Sequence, residues 1–256
     1  MVIIPPLLFA LLMWFIGTAA VVWLDSRPRE TYRASLIWAG LVALAAMVVV
    51  WATAGDTGAE AAYTGFAAAI VIWGWHELSF LTGAVAGPNR AECPPDARGW
   101  ERFKAATATV IHHELALLAT AIALFALTIG QPNQAAPLTF LLLLVLRLSA
   151  KFNLYLGVPN LSDEVFPAHL AYLKSYFRKA RLNVLFPFSI VLGSGLVWWG
   201  WNAGSVTGQL IAGLAALGVI EHLFLVLPLR DARMWQWATA KHTKTIAKTA
   251  KTATID

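Results

Sequence analysis

The chain has 256 residues, of which 59% are hydrophobic and only 13% charged, whereas a soluble domain carries roughly a quarter charged residues. Its mean hydropathy is +0.65. The net charge of +5 comes from basic residues that flank apolar runs, which is a topology signal and argues against nucleic acid as a partner. The single cysteine, Cys93, excludes an internal disulfide and a metal site built from several cysteines.

The apolar runs predict an all-α, polytopic membrane helix bundle, because they approach the roughly 20 residues that a bilayer core requires. The first run, Val2 to Leu24, lacks a basic leading region and a small-residue cleavage site, so we expect a retained helix. Seven transmembrane helices are predicted in chain order, at residues 2–24, 35–54, 61–86, 104–129, 136–156, 183–202 and 207–229.

The connectors between these runs alternate in charge. Those at 25–34, 87–103 and 157–182 are rich in Arg and Lys, and the tail after Leu229 is basic again. The other connectors, at 55–60, 130–135 and 203–206, contain no Lys or Arg. The positive-inside rule therefore predicts a periplasmic N-terminus, a cytoplasmic C-terminus and an odd number of spans.

The predicted seven-helix domain covers residues 1–238. The Lys/Thr/Ala tract at 239–256 has too little apolar content to form a core, so we expect a disordered basic tail. The cytoplasmic connector at 162–181 has apolar residues at near-helical spacing. It is either an amphipathic helix at the membrane surface or a solvated connecting helix.

Ionisable residues recur inside four of the predicted spans, where each charge costs a few kcal/mol unless it has a partner or a function. Measured from the predicted helix ends, His76, His112, Glu114, Arg147 and Glu221 lie roughly 12–15 Å from the cytoplasmic interface at 1.5 Å per residue. The spans are thus expected to form one polar layer. Its members are His76, Glu77, His112, His113, Glu114, Arg147, Lys151, Glu221 and His222.

Several roles for this layer remain open. Adjacent His–Glu pairs are typical of buried hydrogen-bonded pairs, and the carboxylates also suit proton or ion conduction. Imidazole and carboxylate together permit a divalent metal, Fe or Zn. The candidate metal ligands are His76, Glu77, His113, Glu114, Glu221 and His222. The candidate cofactor-binding residues, for a tetrapyrrole magnesium or an anionic group, are His76, His112, His113, His222, Arg147 and Lys151.

Seven blocks of the sequence resemble the PuhE family, the photosynthetic complex assembly protein 2 of purple and related phototrophic bacteria. The likeness runs from about residue 5 to 237, and its central blocks are long and unusual. The blocks are WGWHELSFLTG (73–83), GPNRAECP (87–94), GWERF (99–103), HHELALL (112–118), RLSAKFNLYLGVPNLSDEVFPAHLAYLKSYF (147–177), LFPFSI (185–190) and EHLFLVLPLRDARMW (221–235).

The resemblance implies a factor in the bacterial inner (intracytoplasmic photosynthetic) membrane, needed for assembly of the reaction centre with its light-harvesting antenna. It implies the lipid bilayer and photosynthetic subunits as partners, and bacteriochlorophyll as a candidate cofactor. It supplies no catalytic residue, so we expect a binding protein in preference to an enzyme. The alternatives are a membrane metalloenzyme acting on a tetrapyrrole, quinone or lipid, and a proton or small-solute carrier.

Overall fold

A computed structural model describes residues 5–161 and 167–227, and among these residues there is no β-strand. Two 3₁₀ helices, Arg29–Thr31 and Ala168–Tyr176, lie in connectors. The described residues form seven α-helices: α1 (Pro6–Asp25), α2 (Tyr32–Thr53), α3 (Ala59–Leu81), α4 (Gly99–Leu127), α5 (Ala135–Leu156), α6 (Leu185–Asn202) and α7 (Val206–Phe224).

Five of these helices are long and apolar enough to cross a membrane: α1, α2 with its leading 3₁₀ turn, α4, α5 and α7. The chain is therefore a multi-pass membrane protein by length and composition. In α3, His76 and Glu77 lower the mean hydropathy. The end of α6 has three tryptophans and Asn202, which have the same effect. Seven spans and the orientation of the termini stay predictions.

Helix α3 lies at the centre of the bundle and contacts α1, α2, α4, α5 and α7. Its alanine-rich face is buried along most of its length, with Phe66 and Ala69 fully enclosed. Because protein surrounds α3, this helix can carry polar side chains that a lipid-facing helix cannot. The helix that carries His76 and Glu77 is thus well covered by protein.

Helices α6 and α7 approach each other closely at a pair of glycines. A Cβ atom added to Gly200 would lie 2.4 Å from the carbonyl oxygen of Gly208, a distance that no side chain can adopt. Small residues at helix crossings in membranes allow such backbone contact. This crossing holds α6 at the edge of the bundle, where Phe188, Val191 and Trp198 are exposed.

The connector between α3 and α4 inserts beside α4. The Ala86 carbonyl accepts a hydrogen bond from the backbone N–H of His113 at 3.0 Å, and the Asn89 N–H donates to the Ala108 carbonyl at 3.1 Å. A Cβ on Gly87 would lie 2.1 Å from that same Ala108 oxygen. The sequence places this connector at 87–103. In the structure α3 ends at Leu81 and α4 begins at Gly99, so GWERF belongs to α4.

The connector between α5 and α6 packs over the connector between α3 and α4. Leu170 and Leu173 of its 3₁₀ helix are buried with Phe80 and Ala86, so they are turned away from the membrane surface that an amphipathic helix would bind. The imidazole of His169 is within 2.8 Å of the Leu81 carbonyl at the end of α3. The first part of that predicted helix, 162–166, lies outside the described residues, as does the predicted tail.

Cys93 in the α3–α4 connector tests the predicted orientation without any substitution. It is partly exposed and is flanked by the exposed residues Glu92 and Asp96. We expect a membrane-impermeant maleimide to label Cys93 in inside-out vesicles and to leave it unmodified in right-side-out vesicles. The reverse pattern would contradict the predicted cytoplasmic position of this connector.

Candidate functional site

Two ion pairs between partly buried side chains join α3, α4 and α5. The Nη2 atom of Arg147 lies 2.8 Å from Oε2 of Glu77, and the Lys151 ammonium contacts Oε1 of Glu114. Arg147 and Lys151 share one face of α5, four residues apart, and so present two cations to two carboxylates on neighbouring helices. The four charges cancel, and each side chain has the partner that its position in a membrane demands.

The ring of Phe80 lies between the two cations and a histidine. The Arg147 guanidinium is 5.8 Å and the Lys151 ammonium 5.1 Å from the centre of this ring. Distances of about 6 Å or less allow a cation–π attraction. Phe80 also contacts the ring of His113, at a centroid distance of 4.7 Å. Phe80 therefore contacts both cations and the imidazole of His113.

His113 and His76 are both buried beside the ion pairs. Nε2 of His113 lies 4.0 Å from Oε1 of Glu77, too far for a hydrogen bond. His76 has a partner, Thr120 Oγ1, at 2.9 Å, and its ring lies 6.5 Å from that of His113. The two imidazoles are neighbours, but they do not converge on one point.

Several polar atoms of the cluster are buried without a hydrogen-bond partner. Such atoms cost free energy and are uncommon in folded proteins unless water or a ligand satisfies them. The cluster therefore has a capacity for further hydrogen bonding. These atoms are Nδ1 of His76, Oε1 of Glu77, Nδ1 and Nε2 of His113, Oε2 of Glu114, and Nε of Arg147.

A metal centre needs three or more ligands around one point, usually at about 2.0–2.3 Å for His, Cys and carboxylate groups on zinc. Within residues 5–161 and 167–227, no group of three His, Cys, Asp or Glu side chains is placed to hold a metal ion. The six predicted ligands divide between the ion-pair cluster, the His222 site and the cleft described below.

His112 does not join the cluster. It is exposed on the outer face of α4, next to the buried His113. Adjacent residues of a helix point about 100° apart, so the double histidine supplies one buried and one outward-facing imidazole. The hydrophobic residues Leu115 and Ile122 are exposed on the same helix.

His222 forms a separate hydrogen-bonded network between α5, α6 and α7. Its Nδ1 is 2.8 Å from the Gly218 carbonyl, which can only accept, so Nδ1 carries the proton. Nε2 of the neutral ring then accepts a hydrogen bond from the Ser149 hydroxyl at 2.8 Å. Ser149 also meets Ser189 of α6 at 2.8 Å, and the Asn153 amide donates to Ser189 at 3.0 Å.

Replacing Ser149 with alanine is expected to lower the free energy of unfolding by about 1–2 kcal/mol, because Nε2 of His222 is left buried without a donor. The matched control is Ser194→Ala, which removes an exposed hydroxyl from α6. Thermal unfolding in detergent measures both. Equal midpoints for the two variants would show that the network does not join the helices.

An apolar cleft of about 240 Å³ lies between α1, α3, α5 and α7. The charged side chains on its wall are Glu77, Arg147 and Glu221. Glu221 thus contributes to the wall of the cleft, whereas its neighbour His222 contacts Ser149. The Arg147–Glu77 pair is therefore shared between the ion-pair cluster and the cleft wall.

Sequence reasoning missed the residues that position the cluster. The sequence gives no indication that Phe80 or Thr120 positions the cluster, because phenylalanine and threonine occur in apolar helices for many different reasons. Ser149 and Asn153 were detectable as polar residues near Arg147 and Lys151 within one span, where polar groups seek partners across helices. Ser189 in LFPFSI carries the same weak signal.

Fold and site together define a multi-pass membrane protein with a partly buried, self-neutralising ion-pair cluster. A family model described as "Protein of unknown function (DUF3623)" matches residues 1–246, and the chain belongs to this family. It is 36% identical over 243 residues to an "Uncharacterized 30.4 kDa protein in puhA 5'region" of Rhodobacter capsulatus, covering 90% of this chain and 88% of that protein. No solved structure matches the chain.

Proposed function

We propose that this protein is an assembly factor for the photosynthetic reaction centre and its light-harvesting antenna, equivalent to the PuhE proteins. The observation that carries the proposal is the pairing of Arg147 with Glu77 and of Lys151 with Glu114. Charges that neutralise one another fix three helices in place, which suits a binding scaffold. A relative described as lying in the puhA 5' region supports the photosynthetic context.

Bacteriochlorophyll, in this proposal, is handled at the protein surface. The cleft of about 240 Å³ is smaller than the roughly 300–1,000 Å³ of typical ligand sites, so it does not enclose a whole macrocycle. Of the four imidazoles predicted inside the spans, His112 is the exposed one and is open to an external magnesium tetrapyrrole. Nascent subunits have the exposed apolar faces of α4 and α6 to contact.

The metalloenzyme alternative has weaker support. His76, His113 and Glu77 carry unsatisfied ring or carboxylate atoms, which is the one feature that favours it. A metalloenzyme would need these side chains to move together, because no described group of three is placed around an ion. The carrier alternative has the same carboxylates, but Glu77 and Glu114 are each paired with a cation of α5, which opposes the proton uptake that a relay requires.

A deletion strain of a phototrophic host tests the proposal. We expect slower appearance of the reaction-centre and antenna absorption bands after the strain is shifted to phototrophic growth, and full rescue by the wild-type chain. His112→Leu should rescue poorly, whereas Leu115→Ala, another exposed position on α4, should rescue fully. Normal assembly in the deletion strain would contradict the proposed function. Full rescue by His112→Leu would exclude His112 as the pigment-binding residue and leave the proposed assembly role unchanged.

A further inference from the structure

An open groove of about 330 Å³ runs between the end of α1 and the start of α2. Helix α2 packs chiefly against α3, so the groove stays uncovered on its outer side. Trp23 of α1 and Trp38 of α2 line it, and their side chains are 50% and 69% exposed. Exposed tryptophans near the ends of membrane helices are typical of the level of the lipid headgroups. The groove therefore opens toward lipid, and a lipid is the ligand that can enter it.

Arg27 supplies a positive charge at the connector end of the groove. Its guanidinium lies over the Trp23 ring, 4.8 Å from the ring centre. A guanidinium held against an aromatic face keeps its N–H groups at the edge, where they match the oxygens of a phosphate. Within residues 5–161 and 167–227, no carboxylate lies at ion-pair distance from Arg27. Its side chain is exposed, so an external anion can reach it.

The carboxylates nearest to Arg27 in the sequence, Asp25 and Glu30, lie off the groove wall. The half-buried Asp25 interacts electrostatically with His169 of the connector between α5 and α6. The connector at 25–34 holds three arginines against these two carboxylates. Basic residues beside a membrane span attract anionic headgroups, each by about 1 kcal/mol. The excess positive charge favours a lipid with a net negative headgroup over a zwitterionic one.

The α2 side of the groove suits an acyl chain. Ala34, Trp38 and Val42 line it and recur every four residues, so they share one face of the helix. Ser35 lies on the same wall, and its hydroxyl can donate to a phosphate oxygen. From Ser35 to Val42 the helix rises about 10 Å. The groove is thus polar at the connector and apolar along the span, as a phospholipid is.

We propose that this groove is a binding site for one anionic phospholipid. Its phosphate lies between the Arg27 guanidinium and the Ser35 hydroxyl, and one acyl chain follows the Trp38 face of α2. The proposal is independent of the assembly role, because it concerns the isolated protein and a membrane lipid.

Native mass spectrometry of the purified protein, titrated with dioleoylphosphatidylglycerol or dioleoylphosphatidylcholine, tests the headgroup. We expect the first phosphatidylglycerol to bind the wild type about tenfold more tightly than phosphatidylcholine, and Arg27→Gln to abolish this preference. The matched control is Arg181→Gln, which removes an exposed arginine from the connector between α5 and α6. It should keep the preference of the wild type.

Trp38→Ala tests the acyl chain and should weaken phosphatidylglycerol binding several-fold. Its control is Trp51→Ala, because Trp51 lies on the same helix away from the groove and is similarly exposed, at 65%. Equal affinity of the wild type for the two lipids would overturn the proposal, since any lipid would then serve. So would equal effects of Arg27→Gln and Arg181→Gln, or of the two tryptophan variants. None of these outcomes depends on photosynthetic subunits, so they leave the proposed assembly role untouched.

Discussion

Arg147→Met is expected to lower the free energy of unfolding by about 3 kcal/mol, because it leaves the Glu77 carboxylate buried without its cation. Glu77 has a side chain only 15% exposed, and the neighbouring imidazole of His113 lies beyond hydrogen-bond distance at 4.0 Å. The methionine fills most of the arginine volume, so the loss reports the unpaired charge. Unfolding in detergent, followed by circular dichroism, measures the change.

The double variant Glu77→Leu/Arg147→Met separates the charge from the packing. Removing both partners of a buried ion pair is often nearly neutral, since neither charge remains to be solvated. We therefore expect the double variant to be clearly more stable than Arg147→Met alone. Arg33→Met, which removes an exposed arginine near the start of α2, should change stability by no more than about 0.5 kcal/mol. A double variant as unstable as the single one would contradict the pairing.

Gly87→Ala is expected to release the α3–α4 connector from α4. The new methyl group would lie 2.1 Å from the Ala108 carbonyl oxygen and 2.5 Å from the Thr109 carbonyl carbon. Both are backbone atoms of a helix and cannot move aside. The connector must withdraw, with loss of the Ala86–His113 and Asn89–Ala108 hydrogen bonds. We expect a cost of about 3 kcal/mol, at the upper end for overpacking.

Cys93 reports on this release directly, because it lies in the same connector and its N–H is held by the Ser175 hydroxyl at 2.8 Å. The rate of Cys93 modification by a maleimide should rise several-fold in Gly87→Ala. Gly195→Ala, at a glycine with open space around it, should leave the rate unchanged. An unaltered rate in Gly87→Ala would show that the connector does not contact α4 as described.

The helices were predictable because long apolar runs leave the backbone few alternatives inside a membrane. The ends of α3 and α4 were not. The sequence places the end of the third span near Ala86, but the chain leaves α3 at Leu81 and then runs beside α4. Ala86 remains buried because it packs against protein, with Leu170 and Phe80. Hydropathy reports burial and cannot tell burial in lipid from burial under a connector.

Part of the polar layer could be predicted from the sequence. The sequence predicts that each charge inside a span needs a partner or a function, and Arg147 and Lys151 pair with Glu77 and Glu114. The sequence could not predict which residue of each adjacent pair faces the bundle interior, since neighbouring side chains on a helix diverge by about 100°. His112 and His113 therefore separate, as do Glu221 and His222. Which face of a helix is buried depends on its packing against the other helices, and the sequence of one span does not determine that packing.

The most direct measurement is an experimental density map of the protein in a lipid nanodisc, at a resolution that places the side chains of α3, α4 and α5. We expect the Arg147 guanidinium within hydrogen-bond distance of Glu77, and the Lys151 ammonium against Glu114. A map with either cation extended into the lipid, or with the two glutamates on faces that do not meet α5, would contradict the ion-pair cluster.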